Sequence, residues 1–280
     1  MDPATPPQAP APDHRADHRA DHRAELRRAY ATGELAGLPV FAGGFINFGF
    51  WRGIPLHGPL SAEDRVASQA ALYDLVLDAL SPTGRSTLEV GCGQGVGALR
   101  VLLRAPSRCA GVDQEPEQVG RARLAAPEGE FAVGSAGALP FGDGEFERLL
   151  SVEAAQHFDD LGAFAREAAR VLSPGGRLAV ATFFAADASA APELSRLLAT
   201  FARGLDLPHP IEGFLDRLRE AGFGDVAATS VGEHVWRGLD RWLELGPAPE
   251  RWDRNWLVAA ERGLLDYHLV TATKPAGSGV

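Results

Sequence analysis

The sequence predicts an α/β protein built on a largely parallel sheet with helices on both faces. Three observations carry this reading. Short apolar segments alternate with amphipathic helical segments from Ser86 to Phe184; a glycine-rich turn, LEVGCGQGVGA (Leu88–Ala98), joins the first strand to a helix; and the next strand ends on a carboxylate, Asp113, 22 residues beyond Gly91. Parallel neighbours need long crossovers, usually helices, and those helices cover the sheet.

The elements follow in order. Residues 1–24 are rich in Pro and Ala and then repeat DHRA three times, with His14, His18 and His22 four residues apart. A helix would set these histidines on one face as a weak metal site. The balanced charge and the lack of apolar anchors favour a disordered tail instead. Residues 25–84 read as a helical cap broken by the aromatic run FAGGFINFGFW (Phe41–Trp51). Val66, Ala70, Leu72, Tyr73, Val76, Leu77 and Leu80 mark one apolar helical face, which Pro82 and Gly84 bring to an end. Strands are expected at Ser86–Val90, Ala110–Asp113, Glu130–Val133, Arg148–Val152 and Arg177–Phe184, with helices at Gly97–Arg104, Pro116–Leu124 and Leu161–Leu172. Helices near Pro192–Leu205 and Ile211–Ala221 come next, then strands near Asp225–Val231 and Leu265–Thr273. The core is thus expected over residues 85–280, with insertions at about 185–222 and 232–262, the second carrying Trp236, Trp242, Trp252 and Trp256.

The 280-residue chain suits one large domain with a cap. A net charge of −10 argues against nucleic acid as a partner. No apolar run is long enough to span a bilayer, and the N-terminus lacks the apolar core of a secretory signal. Cys92 and Cys109 form no CxxC pair, so no metal site is expected. Their scarcity suits a reducing, cytoplasmic compartment.

The chemistry starts at the glycine turn. Glycines let a ligand approach the backbone, and the helix start offers free N–H groups. A carboxylate at Asp113 can accept hydrogen bonds from both hydroxyls of a ribose. Together they mark an adenosine-containing ligand. A dinucleotide fingerprint fails in detail: the sixth position counted from Gly91 is Val96, and from Gly95 it is Arg100. Glu89 would repel a pyrophosphate, whereas it suits a ligand carrying an amino group and a sulfonium charge.

These motifs resemble those of the class I S-adenosylmethionine (SAM)-dependent methyltransferases. Glu89–Gly95 is similar to the family's first motif, E-x-G-x-G-x-G. GVDQEPEQVGRAR (Gly111–Arg123), GSAGALPFGDGEFERLLSVEAAQHF (Gly134–Phe158) and RVLSPGGRLAVATFF (Arg170–Phe184) resemble the segments that follow it, in order and spacing. The resemblance implies a Rossmann-like seven-stranded sheet of order 3-2-1-4-5-7-6, the last strand antiparallel. It implies that Glu89, Gly91, Gly93 and Gly95 line the methionine end of SAM, that Asp113 holds the ribose, and that Gln114 covers one adenine face. Ser135 stands where the family usually has an Asp for the adenine amino group, and Ala136 offers its backbone. GFINFGFW (Gly44–Trp51) resembles the aromatic segment that closes over SAM in the ubiquinone-, sterol- and natural-product branch, which points to Phe45, Phe48, Phe50 and Trp51; Phe50 is carried forward as the cofactor contact.

His157 follows the fourth strand, in the region that faces the transferred methyl in this family. A neutral imidazole there can accept the proton of a substrate hydroxyl; the competing reading is a structural histidine. His209 and His234 are further candidates in the cap regions. The reading that follows is methyl transfer from SAM by in-line displacement to a small, mostly apolar natural product, at oxygen, with amine and carbon acceptors left open. The Trp-rich insertion suggests an apolar acceptor pocket, or else only packs on the sheet. An Ala-, Arg- and Gly-rich composition suggests a bacterial gene in secondary metabolism or antibiotic biosynthesis. The alternative is a catalytically inactive SAM-binding module in assembly or regulation.

Overall fold

The computed structural model describes residues 41–245 and 254–277. The DHRA repeat, the first part of the expected N-terminal cap and Trp252 lie outside the described residues. The described helices are α1 (Ala62–Leu80), α2 (Val96–Leu102), α3 (Pro116–Ala125), α4 (Leu161–Val171), α5 (Ala191–Leu197), α6 (Ala199–Ala202), α7 (Ile211–Glu220), α8 (Trp236–Leu245) and α9 (Asn255–Glu261). The strands are β1 (Ser86–Val90), β2 (Arg108–Asp113), β3 (Glu130–Val133), β4 (Phe146–Val152), β5 (Leu172–Ala185), β6 (Gly224–Ser230) and β7 (Leu265–Thr273).

The strands form one sheet in the order β3-β2-β1-β4-β5-β7-β6. The first five pair in parallel, and β7 runs antiparallel to both β5 and β6. Alternation along each strand divides the core. Leu150, Val152, Ala179, Ala181 and Phe183 face α1–α3 and the cap helices, while Leu149, Leu178, Val180 and Phe184 face α4 and α7. The order and the antiparallel last strand are those the sequence resemblance implies.

Helix α1 starts in a reciprocal cap: the Asp64 N–H donates to Ser61 Oγ (3.1 Å), and the Ser61 N–H donates to the Asp64 carboxylate (2.8 Å). Its second half buries Leu72, Val76, Leu77 and Leu80, as the periodicity predicts. Its first half departs from that prediction. Arg65, Ser68 and Gln69 are the buried residues there, and Val66 and Ala70 are only partly covered. The reason is the irregular segment that precedes the helix, whose carbonyls have no ladder partner. The Arg65 guanidinium donates to the carbonyls of Asn47 (2.6 Å) and Phe48 (2.9 Å), and the Gln69 amide donates to that of Phe45 (3.0 Å). A polar face was needed to satisfy backbone.

The expected single helix over Pro192–Leu205 is two short helices. Leu198 between them is extended (φ −121°, ψ 118°), and Leu205 lies in the loop beyond α6.

Candidate active site

A cavity of about 290 Å³ opens at the C-terminal ends of β1, β2 and β4, where ligands of parallel α/β sheets bind. Each crossover delivers residues to it. The β1–α2 turn brings Gly91 and Gly93, the end of β2 brings Asp113 and Gln114, the segment after β3 brings Ser135 and Ala136, and the segment after β4 brings His157. Gly91 has φ +81°, and a Cβ there would overlap that of Ala154. The turn therefore presents bare backbone to the cavity. Asp113 holds that turn: Oδ2 accepts from the Gly93 N–H (2.9 Å) and Oδ1 from the Glu115 N–H (3.0 Å). Burial raises the Asp113 carboxyl above its usual range, and these backbone donors oppose the rise. Ser135 Oγ accepts from the Gly137 N–H (3.2 Å).

Three of the predicted site residues stand back from the cavity wall. Phe50 does not line it. Its ring packs edge-on to His234, with centroids 5.2 Å apart, and its N–H donates to the Ser68 carbonyl. The bonds from Arg65 and Gln69 hold the aromatic segment so that Phe45 and Ile46 reach the cavity instead. Gly95 caps α2 at φ +83°, against Ala122 of α3. Its role is to let two helices approach. Glu89 is buried behind the turn, where Oε1 accepts from the Tyr73 hydroxyl (2.9 Å) and Oε2 has no hydrogen-bond partner. Burial pushes its carboxyl up to about 8, against the Tyr73 hydrogen bond, with Asp113 adding to the rise. Gly97, which lines the cavity, has no room for a side chain because Glu89 and Tyr73 lie against it.

Sequence reasoning passed over Glu153, the residue after β4. It lines the cavity, has φ +46°, and accepts from the Phe48 N–H (2.6 Å) and the Tyr267 hydroxyl (2.9 Å). Burial pushes Glu153 up to about 8, outweighing both hydrogen bonds and the charge of Arg65. The signal was available: a carboxylate directly at the C-terminal end of a central parallel strand has nowhere to go but the mouth of the site.

Glu89 and Glu153 keep their protons in the folded chain to higher pH than the ordinary carboxyl value of 4.5. Their contribution to stability is therefore complete below about 4.5 and is lost as pH rises through about 8. Denaturant titrations of the ligand-free protein should show stability falling across this window, and Glu153→Gln should fall less steeply. A flat profile in the wild type would show that both carboxyls are ionised throughout.

His157 ends a short 3-10 turn (Ala155–His157) and its ring lies at the cavity wall. Its tautomer follows from its neighbours. The Gln156 amide nitrogen donates to the Glu153 carbonyl (3.0 Å), and the amide oxygen accepts from the Thr182 hydroxyl (2.6 Å). A flipped amide would set two acceptors against each other at Glu153, so the NH₂ is the group that also meets His157 Nε2 (3.2 Å). Nε2 is then the acceptor nitrogen. Nδ1 carries the hydrogen, directed at the Leu205 carbonyl (3.0 Å) with the Asp206 carboxylate 3.3 Å away.

The other candidate histidines do not line the cavity. His209 bonds the Phe158 carbonyl (2.9 Å), and His234 lies against Phe50. Nor does the Trp-rich insertion form an acceptor pocket. Trp236 and Trp256 stack at 6.1 Å and pack with Phe48 and Phe183 over the sheet, both nearly fully buried. Apolar lining comes instead from Phe45, Ile46, Phe158 and Leu205. Among the described residues, no lysine or arginine lines the cavity.

The methyltransferase domain family matches residues 88–180. The chain is 33% identical over 220 residues to erythromycin 3''-O-methyltransferase of Saccharopolyspora erythraea, spanning 72% of this chain and 69% of that one. It is 31% identical over 188 residues to 27-O-demethylrifamycin SV methyltransferase of Amycolatopsis mediterranei, spanning 64% and 62% respectively. Geranyl diphosphate C-methyltransferase of Streptomyces coelicolor, solved with Mg²⁺, geranyl diphosphate and S-adenosyl-L-homocysteine, shares the fold at a TM-score of 0.73 and 16% identity, over 90% of this chain and 97% of that one. The chain belongs to the class I S-adenosylmethionine-dependent methyltransferases and is an enzyme that uses SAM. No described helix is long and apolar enough to cross a membrane.

Proposed function

We propose that this enzyme methylates a hydroxyl group of a small, mostly apolar natural product, with His157 as the general base. The observation that carries the reading is the His157 ring at the cavity wall, with Nδ1–H engaged behind it and Nε2 as the acceptor nitrogen. The cavity's apolar lining and its lack of basic residues favour an uncharged acceptor. The two O-methyltransferase relatives, named for erythromycin and a demethylated rifamycin, support a place in natural-product tailoring.

The residues present fit SAM. Gly91 and Gly93 leave open backbone for it, Asp113 is placed to accept from its ribose, Gln114 to cover the adenine, and Ser135 and Ala136 to meet the adenine edge. The unpartnered Glu89 Oε2, beside the cavity-lining Tyr73 and Gly97, leaves one buried acceptor for the positively charged methionine end. When bound, SAM supplies an electrophilic methyl on a sulfonium sulfur, whose S–C bond breaks as the new O–C bond forms. The chain holds the acceptor in line, keeps water out with Phe45, Ile46 and Phe158, and receives the hydroxyl proton at His157 Nε2.

The test is turnover with SAM on hydroxylated macrolide and ansamycin acceptors lacking the O-methyl group, with the product position read by mass spectrometry and NMR. Methylation at oxygen is expected. Methylation at nitrogen or carbon, or no transfer to any hydroxylated acceptor, would overturn the reading. Restoring the family's carboxylate with Ser135→Asp should leave SAM affinity equal or tighter by calorimetry; weaker binding would mean that the adenine edge is met differently.

A further inference from the structure

The loop after α6 is stitched to the segment that carries His157. The Leu207 N–H donates to the Gln156 carbonyl (2.9 Å), the Leu205 carbonyl meets His157 Nδ1 (3.0 Å), and His209 Nε2 meets the Phe158 carbonyl (2.9 Å). The loop is itself held to α6, because the N–H groups of Leu205 and Asp206 both donate to the Thr200 carbonyl (2.9 and 3.3 Å). Within this clamp sits Asp206, only 4% exposed, with Oδ1 3.3 Å from His157 Nδ1. A buried carboxylate on the far nitrogen of a candidate base has a defined chemical consequence. It fixes which nitrogen carries the hydrogen, and it offsets the charge that forms when the other nitrogen takes a proton.

We propose that Asp206 is the positioning residue for His157: it holds the ring with Nδ1–H turned away from the cavity and stabilises the imidazolium formed as Nε2 accepts the acceptor's hydroxyl proton. This rests on the reading of His157 as the base. The balance is simple. The acceptor O–H bond breaks, its proton goes to Nε2, the oxygen's electron pair forms the bond to the methyl carbon, and the positive charge lost from sulfur reappears on the imidazolium. Asp206 touches neither the acceptor nor the methyl donor; it acts through the ring. Burial raises the Asp206 carboxyl above its usual range, and the His157 ring draws it back down, the direction expected of a carboxylate whose counter-charge is that ring. Aim and charge compensation for the base therefore come from residues 205–209, beyond β5, while the base comes from the turn after β4.

The experiment uses Asp206→Asn, His157→Ala and the double variant. Asp206→Asn keeps the side chain's shape and removes its charge. It should lower kcat by about 10-fold or more, with acceptor KM and SAM affinity near wild type. In the His157→Ala background the same change should have no further effect on kcat. Proton NMR of the ligand-free protein supplies a readout independent of turnover: the His157 Nδ1–H resonance, assigned by its loss in His157→Ala, should move upfield in Asp206→Asn. An inactive His157→Ala enzyme beside an Asp206→Asn variant with normal kcat or an unmoved resonance would overturn the role of Asp206 and leave the base reading standing. Full activity of His157→Ala would overturn both. A parallel loss of kcat, SAM affinity and melting temperature in Asp206→Asn would reduce Asp206 to packing and also overturn the proposal.

Discussion

His157→Ala is expected to lower kcat by roughly 10²–10⁴-fold, the usual contribution of a positioned general base, while SAM binds almost as before. The selectivity follows from the geometry. The ring's fixed partners are Gln156, Leu205 and Asp206, and none of these belongs to the glycine turn or to the Asp113 bonds. Removing the imidazole therefore leaves the β1 and β2 side of the cavity as built. Single-turnover rates beside calorimetric SAM affinities check it. A variant nearly as fast as wild type would leave alignment as the whole of catalysis and point to an acceptor that needs no base.

Asp113→Ala should act on the opposite half of the site. The carboxylate accepts two backbone N–H groups that shape the loops on either side of it, and it is the acceptor proposed for the ribose hydroxyls. Hydrogen bonds to a charged group contribute about 1.5–3 kcal/mol each. Loss of two such bonds to the ligand corresponds to SAM affinity weaker by about 10²-fold or more, with turnover at saturating SAM far less affected. Asp113→Asn should be intermediate, because it keeps an acceptor oxygen and loses the charge. Unchanged affinity by titration in the alanine variant would place the ribose elsewhere.

These two residues also mark what the sequence made legible. Asp113 could be found because strand, glycine turn and strand-end carboxylate are local features at fixed spacing. For the same reason Ser86–Val90, Glu130–Val133 and Leu265–Thr273 are strands with the bounds the pattern indicates. His157 was visible as a residue in the right crossover, but its tautomer was not, since that depends on Gln156, Thr182 and Leu205 meeting in space. Asp206 carried no local signal at all: it lies in an irregular loop and gains its meaning only from the bonds that dock that loop on residues 156–158. Phe50 was misplaced for a related reason. An aromatic run shows that rings will be buried, not which of them face a ligand; at Phe45–Trp51 that choice is made by Arg65 and Gln69, whose polarity hid them from an apolar helical count. The tryptophans of the insertion misled in the same way, being the filling of the cap rather than the wall of a pocket.

The place of β7 governs when such an enzyme can first work. It comes last in the sequence, yet it lies between β5 and β6, and Tyr267 on it bonds the same carboxyl that receives the Phe48 N–H, across separations of 114 and 105 residues. During synthesis β5 must wait with an open edge, and β6 has no neighbour at all, until Leu265–Thr273 emerges and slips between them. Contacts of such long range form late and slowly. The glycine turn and Asp113 come together early, but the aromatic segment acquires its anchor on Glu153 and Tyr267 only when the final strand docks. A nascent chain thus carries half a site, with an unpaired strand edge that invites misassociation, until almost its last residues have been made.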